Sequence, residues 1–161
     1  MQKFYVDKDG NYLGSFDAGK NKKAKHPFGT GAVQVDVAPA SAFDKWNGEK
    51  WVKDFSLDIK RIREEKEIGG IAINGIDVQT DIDSRTNLLG ASQLGISINW
   101  KTSQGFVELT SEQISAIAVE VGKHVQKCFN AEKIVTETHE SNPFSSIEEL
   151  EKAFNDAYND M

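Results

Sequence analysis

Between Phe55 and His139 the chain alternates helix-forming runs with short strands set off by glycine turns. That order restricts the segment to helices packed over small antiparallel hairpins. Leu57 to Glu67 favours helix, and Phe55, Ile59 and Ile62 fall at i, i+4, i+7 to make a narrow apolar stripe. Gly69-Gly70 stops the helix. Ile71 to Gln79 then reads as a hairpin centred on Asn74-Gly75, because both positions of a tight turn need φ > 0. Asp81 or Asp83 caps a helix that runs through Leu94 and ends at Gly95. Ile96 to Trp100 alternates and pairs with Phe106 to Leu109 across Thr102-Ser103-Gln104-Gly105. Thr110-Ser111-Glu112-Gln113 is a capping box that opens the longest helix. Ile114, Ile117, Ala118, Val121, Val125, Cys128 and Phe129 give it an apolar stripe.

The flanks differ in character. Lys3 to Val6 and Tyr12 to Phe16 read as strands around an Asp7-to-Asn11 loop, and Ala32 to Val37 alternates as a third strand. Ala42 to Trp46 and Glu49 to Val52 flank Asn47-Gly48, a second hairpin signal. Ala18 to Gly31 is a polar, Lys- and Gly-rich loop. After Ser141-Asn142-Pro143, a break for helix, Ser146 to Glu149 forms another capping box. Ile147, Leu150, Ala153, Phe154, Ala157 and Tyr158 line a last amphipathic helix. The expected class is α+β: a β-rich module over 1–54, an α+β domain over 55–139 and an acidic C-terminal helix over 140–161.

Charge excludes more than it identifies. Residues 1–54 hold nine Lys against seven Asp or Glu, or +2, which leaves −8 for the rest of a chain of net −6. That balance argues against a nucleic-acid partner. Residues 1–20 carry Asp7, Asp9 and Asp17 and no apolar core, so a signal peptide is not expected, and synthesis in the cytoplasm is. No apolar run reaches the ~18 residues of a membrane span. The single Cys128 has no internal partner for a disulfide.

Each motif that invites chemistry lacks a necessary part. Gly14 to Asn21 approaches a phosphate loop, but Asn21 stands where a Ser or Thr would hold Mg²⁺. Asp7, Asp9 and Asn11 suggest a calcium loop, yet Tyr12 and Ala18 occupy the places of its Gly and Glu. His124 and Cys128 sit at i, i+4, but a structural zinc needs four ligands and the remaining His26 and His139 lie elsewhere. As a nucleophile, Cys128 has no helix N-terminus or basic cluster to lower its pKa. Lys20, Lys22, Lys23 and Lys25 form a basic cluster without the aromatic interleaving that base stacking needs. Asp81/Asp83 and Glu148/Glu149 stand at helix starts, where capping accounts for them. The reading therefore expects no catalytic residue, no cofactor and no metal. It places partner contacts at Trp46 and Trp51, which read equally as the core of a small sheet or as interface anchors, and at Phe55, Ile59 and Ile62.

From Lys60 to Phe129 several stretches occur together: the Arg61-to-Glu65 charged run, Gly70-Ile71-Ala72-Ile73-Asn74-Gly75, Gln79-Thr80-Asp81, Ser84-Arg85, Trp100, Phe106 to Thr110, and His124 to Phe129. This combination resembles a family of unknown function found in bacteriophage and prophage tail proteins. Tyr12 to Phe16, Gly31 to Val35, Ala38-Pro39 and Trp46 to Trp51 are similar to short leader modules of such proteins. The resemblance covers a bit under half the chain and implies a place beside tail-fibre genes, with no catalytic residues to carry over. The expectation is a non-enzymatic tail or tail-fibre-associated protein, located in the virion tail. It would work through contacts with other tail proteins or, as a homo-oligomer, with itself, and it would involve neither nucleic acid nor membrane insertion. A fibre-assembly chaperone absent from the particle is the alternative.

Overall fold

The computed structural model describes residues 2–19, 24–102 and 105–161. The chain is α+β, with strands toward the N-terminus and helices toward the C-terminus. It divides into two compact units, residues 1–55 with 142–145 and residues 56–141 with 146–161.

The first unit is built from short strands. β1 (Lys3–Val6) lies between β2 (Tyr12–Phe16) and β3 (Val33–Val35), all antiparallel. The β1–β2 reversal is organised by Asp7, whose Oδ1 accepts from the amides of Asp9 and Asn11, each at 2.9 Å. The Asn11 side chain donates to Asp7 Oδ2 at 2.9 Å. The residues that suggested a calcium loop are therefore a side-chain-braced turn. β3 is shorter than the Ala32-to-Val37 alternation predicts, because β1 offers it only Phe4 to Val6 as partners.

β4 (Lys45–Trp46) and β5 (Trp51–Val52) form a separate hairpin with Trp46 opposite Trp51. Its loop is not the two-residue Asn-Gly turn expected from sequence. Asn47 Oδ1 accepts from Glu49 N at 3.1 Å and from Lys50 N at 2.9 Å, and this side-chain turn spreads the loop over Asn47 to Lys50. Ala42 to Asp44 is no strand either. Ser41 N donates to Asp44 Oδ2 at 2.9 Å and Asp44 N to Ser41 O at 3.1 Å, which makes a local turn.

The second unit holds α1 (Ser56–Ile68), the hairpin β6 (Ile71–Ile73) and β7 (Ile76–Val78), α2 (Ile82–Leu94), the hairpin β8 (Ile98–Thr102) and β9 (Gly105–Leu109), α3 (Ser111–Ser141) and α4 (Ile147–Asn159). Local chemistry sets most of its boundaries. Asn74 (φ 51°) and Gly75 (φ 80°) make the predicted tight turn. Asp81 caps α2 by accepting from Ser84 N, and Gly95 closes it. Thr110 and Gln113 complete their capping box, with Thr110 N to Gln113 Oε1 at 2.9 Å and the reverse bond at 3.3 Å. Ser146 caps α4 through Glu149 N at 3.2 Å. The turn residues Ser103 and Gln104 lie outside the described residues.

α3 is about 46 Å long at 1.5 Å per residue, and α1, α2, α4 and β6 all pack on it. Its buried positions are Ile114, Ile117, Val121, His124, Cys128, Ala131 and Val135. They are spaced three, four, three, four, three, four, a continuous seam. The seam passes through His124, whereas the sequence stripe ran through Val125 and Phe129. Phe129 is 45% exposed. The first half of the seam joins Val78, Leu88 and Leu109 in a core on which Ile71, Ile73, Ile98, Trp100 and Val107 pack. α4 buries Leu150 and Phe154 completely, each worth roughly 1.5–3 kcal/mol of transfer free energy. It is thus part of this unit. No helix among the described residues is long and apolar enough to cross a membrane.

One glycine in the first unit tests this account. Gly10 has φ 81°, and a Cβ there would lie 2.2 Å from the Trp46 carbonyl oxygen. The same close approach carries the Trp46 N–H to Gly10 O bond at 2.9 Å. Gly10→Ala should lower the stability of this unit by about 2 kcal/mol or more. Denaturant unfolding followed by tryptophan fluorescence measures the change.

Candidate functional site

The most concentrated polar chemistry of the second unit gathers at the C-terminal end of α1. Arg63 and Glu67 stand one turn apart on that helix. Glu67 is 6% exposed, and its carboxylate is held by two guanidinium groups. Arg63 Nη1 pairs with Oε2, and Arg85 Nη1, from the first turns of α2, pairs with Oε1 at 2.6 Å. Arg63 also donates from Nε to Glu132 Oε2 on α3 at 3.0 Å, and its guanidinium lies 4.8 Å from the Phe129 ring centroid. Burial works to raise the Glu67 pKa. The hydrogen bonds from Arg85 and Arg63 outweigh it and hold the carboxyl below its usual 4.5.

The backbone of the same residue is engaged as well. The last carbonyls of a helix have no partner within it. The Glu67 carbonyl accepts from the Thr80 hydroxyl at 2.6 Å and faces His124 Nε2 at 3.3 Å. Thr80 Oγ1 in turn accepts from Gly70 N at 2.9 Å. A carbonyl only accepts, so Nε2 of His124 carries the proton and Nδ1 is the acceptor. Nδ1 lies 2.7 Å from the Tyr158 hydroxyl on α4, which therefore donates to it. Thr80 and His124 are 0% and 3% exposed. Burial pushes the imidazole below its ordinary 6.5 and keeps it neutral.

Cys128 completes the cluster. Its Sγ lies 3.9 Å from Nε2 and 4.0 Å from Nδ1 of His124. Burial, reinforced by the Glu67 charge, raises the thiol pKa to about 11. Both imidazole nitrogens already have oxygen partners, so the thiol acts as a small buried apolar group. Among the described residues no set of three His, Cys, Asp or Glu is placed to hold a metal. Every buried side-chain nitrogen and oxygen described has a partner.

His124 and Tyr158 also stand in the wall of an open groove of about 1180 Å³. β6 forms one side and the first half of α3 the other, with Ala116, Val119 and Lys123 facing it from the helix. Tyr158 is flanked by two ammonium groups, Lys66 Nζ at 4.5 Å and Lys127 Nζ at 5.7 Å from the ring centroid.

The residues expected to meet a partner are already engaged within the chain. Trp46 and Trp51 are half-buried, with ring centroids 5.5 Å apart in an edge arrangement. Trp51 also meets the Tyr12 ring at 5.8 Å and donates from Nε1 to Val37 O at 2.8 Å. Phe55 is buried, with Lys53 Nζ 5.9 Å from its ring centroid. Ile59 and Ile62 are buried on α1, so a partner reaches them only by displacing intrachain packing. Of the basic cluster and the near phosphate loop, Lys20, Asn21, Lys22 and Lys23 lie outside the described residues, while Lys25 is exposed. Sequence reading missed Arg63, Glu67, Thr80, Arg85 and Tyr158 as a group. Thr80, Arg85, His124 and Cys128 all fall in the stretches that carry the family resemblance.

The family model described as a domain of unknown function (DUF4376) matches residues 53–156. No curated protein and no solved structure matches the chain. The matched segment contains α1 through most of α4, and with them every residue of the polar cluster except Tyr158.

Three outcomes follow from the cluster. Thr80→Val removes the hydroxyl that joins Glu67 O to Gly70 N and should cost about 1–3 kcal/mol, read from denaturant unfolding. Neutral His124 binds fewer protons than its unfolded counterpart below pH 6.5. Its contribution is full above pH 6.5 and falls as pH drops toward the lowered pKa. The Glu67 contribution is present above 4.5 and falls as pH drops through its own lowered pKa. The helical melting midpoint should thus decline in two stages on acidification, and His124→Gln should abolish the upper one. Cys128 should react with thiol reagents about a hundredfold more slowly in the native chain than in denaturant, from ionisation alone.

Proposed function

The chain belongs to the DUF4376 family, a domain of unknown function, and from that premise we propose that it is a non-enzymatic bacteriophage tail or tail-fibre-associated protein working through protein–protein contact. The motif resemblance over residues 60–129, which points to tail proteins, falls inside the matched segment. One observation carries the reading. The residues most apt for chemistry are engaged within the chain: Glu67, Arg85 and His124, with Tyr158, tie four helices together, and Cys128 packs beside the imidazole as an apolar group. Such a cluster fixes the relative placement of surface elements, which is what a contact protein requires.

On this proposal the chain is made in the bacterial cytoplasm and resides in the tail of the particle, against other tail or fibre proteins or further copies of itself. A fibre-assembly chaperone shares the surface chemistry but leaves before the particle matures. A protein inventory of purified virions separates the two. The chain is expected in mature particles at a stoichiometry like that of other tail parts. Its presence in infected cells together with its absence from particles would replace the structural role with the chaperone role.

A further inference from the structure

The groove beside β6 has a feature that apolar lining alone would not give. With Asn74-Gly75 as a two-residue turn, Ile73 and Ile76 are the hydrogen-bonded pair of the hairpin, and so are Ile71 and Val78. The N–H and C=O of Ala72 therefore point away from β7. Ile71, Ile73 and, on β7, Ile76 turn their side chains toward the core, yet all three line the groove together with Ala72. Ile71, Ile73 and Ile76 share one face of the hairpin and Ala72 does not, so the groove follows that face and also reaches the free edge of β6 at Ala72. Across it stands α3, with Val119 56% exposed.

Lys127 in the groove wall and the nearby Lys66 flank Tyr158, and neither makes an ion pair among the described residues. Glu120, the carboxylate side chain in the groove lining, is paired with Lys123 at 2.7 Å, which leaves the Lys127 and Lys66 charges unmatched. We infer that the groove takes an extended segment of a partner protein, added as a strand to the free edge of β6, with aliphatic side chains toward α3 and a carboxylate toward Lys127 and Lys66. The backbone of Ala72 supplies main-chain register, Ile71, Ile73 and Val119 supply apolar contact, and the lysines select acidic sequences. The inference rests on the protein-contact reading and names the kind of partner that reading requires.

A random-peptide display library panned on the full chain is the probe, with enriched peptides then synthesised and titrated. Enriched sequences should alternate aliphatic residues and carry Asp or Glu at one end. Ala72→Pro removes an N–H that the hairpin does not use and suits an edge strand. It should weaken binding about tenfold or more at an unchanged melting midpoint. Lys127→Glu, at a surface position of α3, should weaken acidic peptides and spare versions whose acid is replaced by Gln. Failure to enrich any peptide would overturn the inference. So would enriched peptides that bind both variants as well as the parent, but that second result would leave the protein-contact reading standing. Finding the chain in infected cells and not in virions would instead remove the tail-structural role without touching the groove.

Discussion

The second unit depends on one seam. From Ile114 to Val135 every third or fourth residue of α3 is buried, and α1, α2, α4 and β6 find their places against that line. Among the described residues, neither of the unit's hairpins has a third strand. Two strands alone are marginally stable in water, so the β6–β7 pair needs the cover that Ile114, Ile117 and Val121 provide. An apolar seam without direction would let helices slide by a turn at small cost. Here one position of the seam is an imidazole with two specific oxygen partners, and that fixes α1 and α4 against α3 at a definite register.

The ion pairs in the cluster are a weak source of net stability, because desolvation offsets much of the attraction in a buried pair. Their effect lies in discrimination. Arg85 belongs to α2, Arg63 to α1 and Glu132 to α3. A wrong docking of any of these helices leaves Glu67 buried with an unmatched charge, which costs about 3–5 kcal/mol. The exposed charges of α1, such as Arg61 with Glu65, have no comparable consequence, because solvent screens them in any arrangement.

Local chemistry was legible in the sequence, and convergence was not. Asn74-Gly75, the Asp81 cap, the Thr110–Gln113 box and the Ser146 cap are set by residues a few positions apart, and each was found from its pattern. Asn47-Gly48 carried the same signal as Asn74-Gly75 but made a wider loop, since the Asn47 side chain competed for the amides of Glu49 and Lys50. The α3 stripe was drawn beside its true line because a histidine does not read as apolar. The Glu67 cluster brings together partners 13, 18 and 57 positions away, and no single-sequence period encodes such meetings. Tyr158 read as one more member of an amphipathic face, and its hydroxyl's destination depended on where α4 docks.

Glu67 serves two sets of partners through two different groups. Its side chain answers to Arg63 and Arg85, while its carbonyl answers to Thr80 and His124. Side-chain replacement reaches only the first set, since any of the usual amino acids supplies the same carbonyl. A mutational scan would thus rank this position by half of what it does. The other half would be scored at Thr80 and His124, as if it belonged to them. Only a change to the backbone itself, such as an ester in place of the amide that follows Glu67, would weaken that carbonyl as an acceptor and expose the missing half.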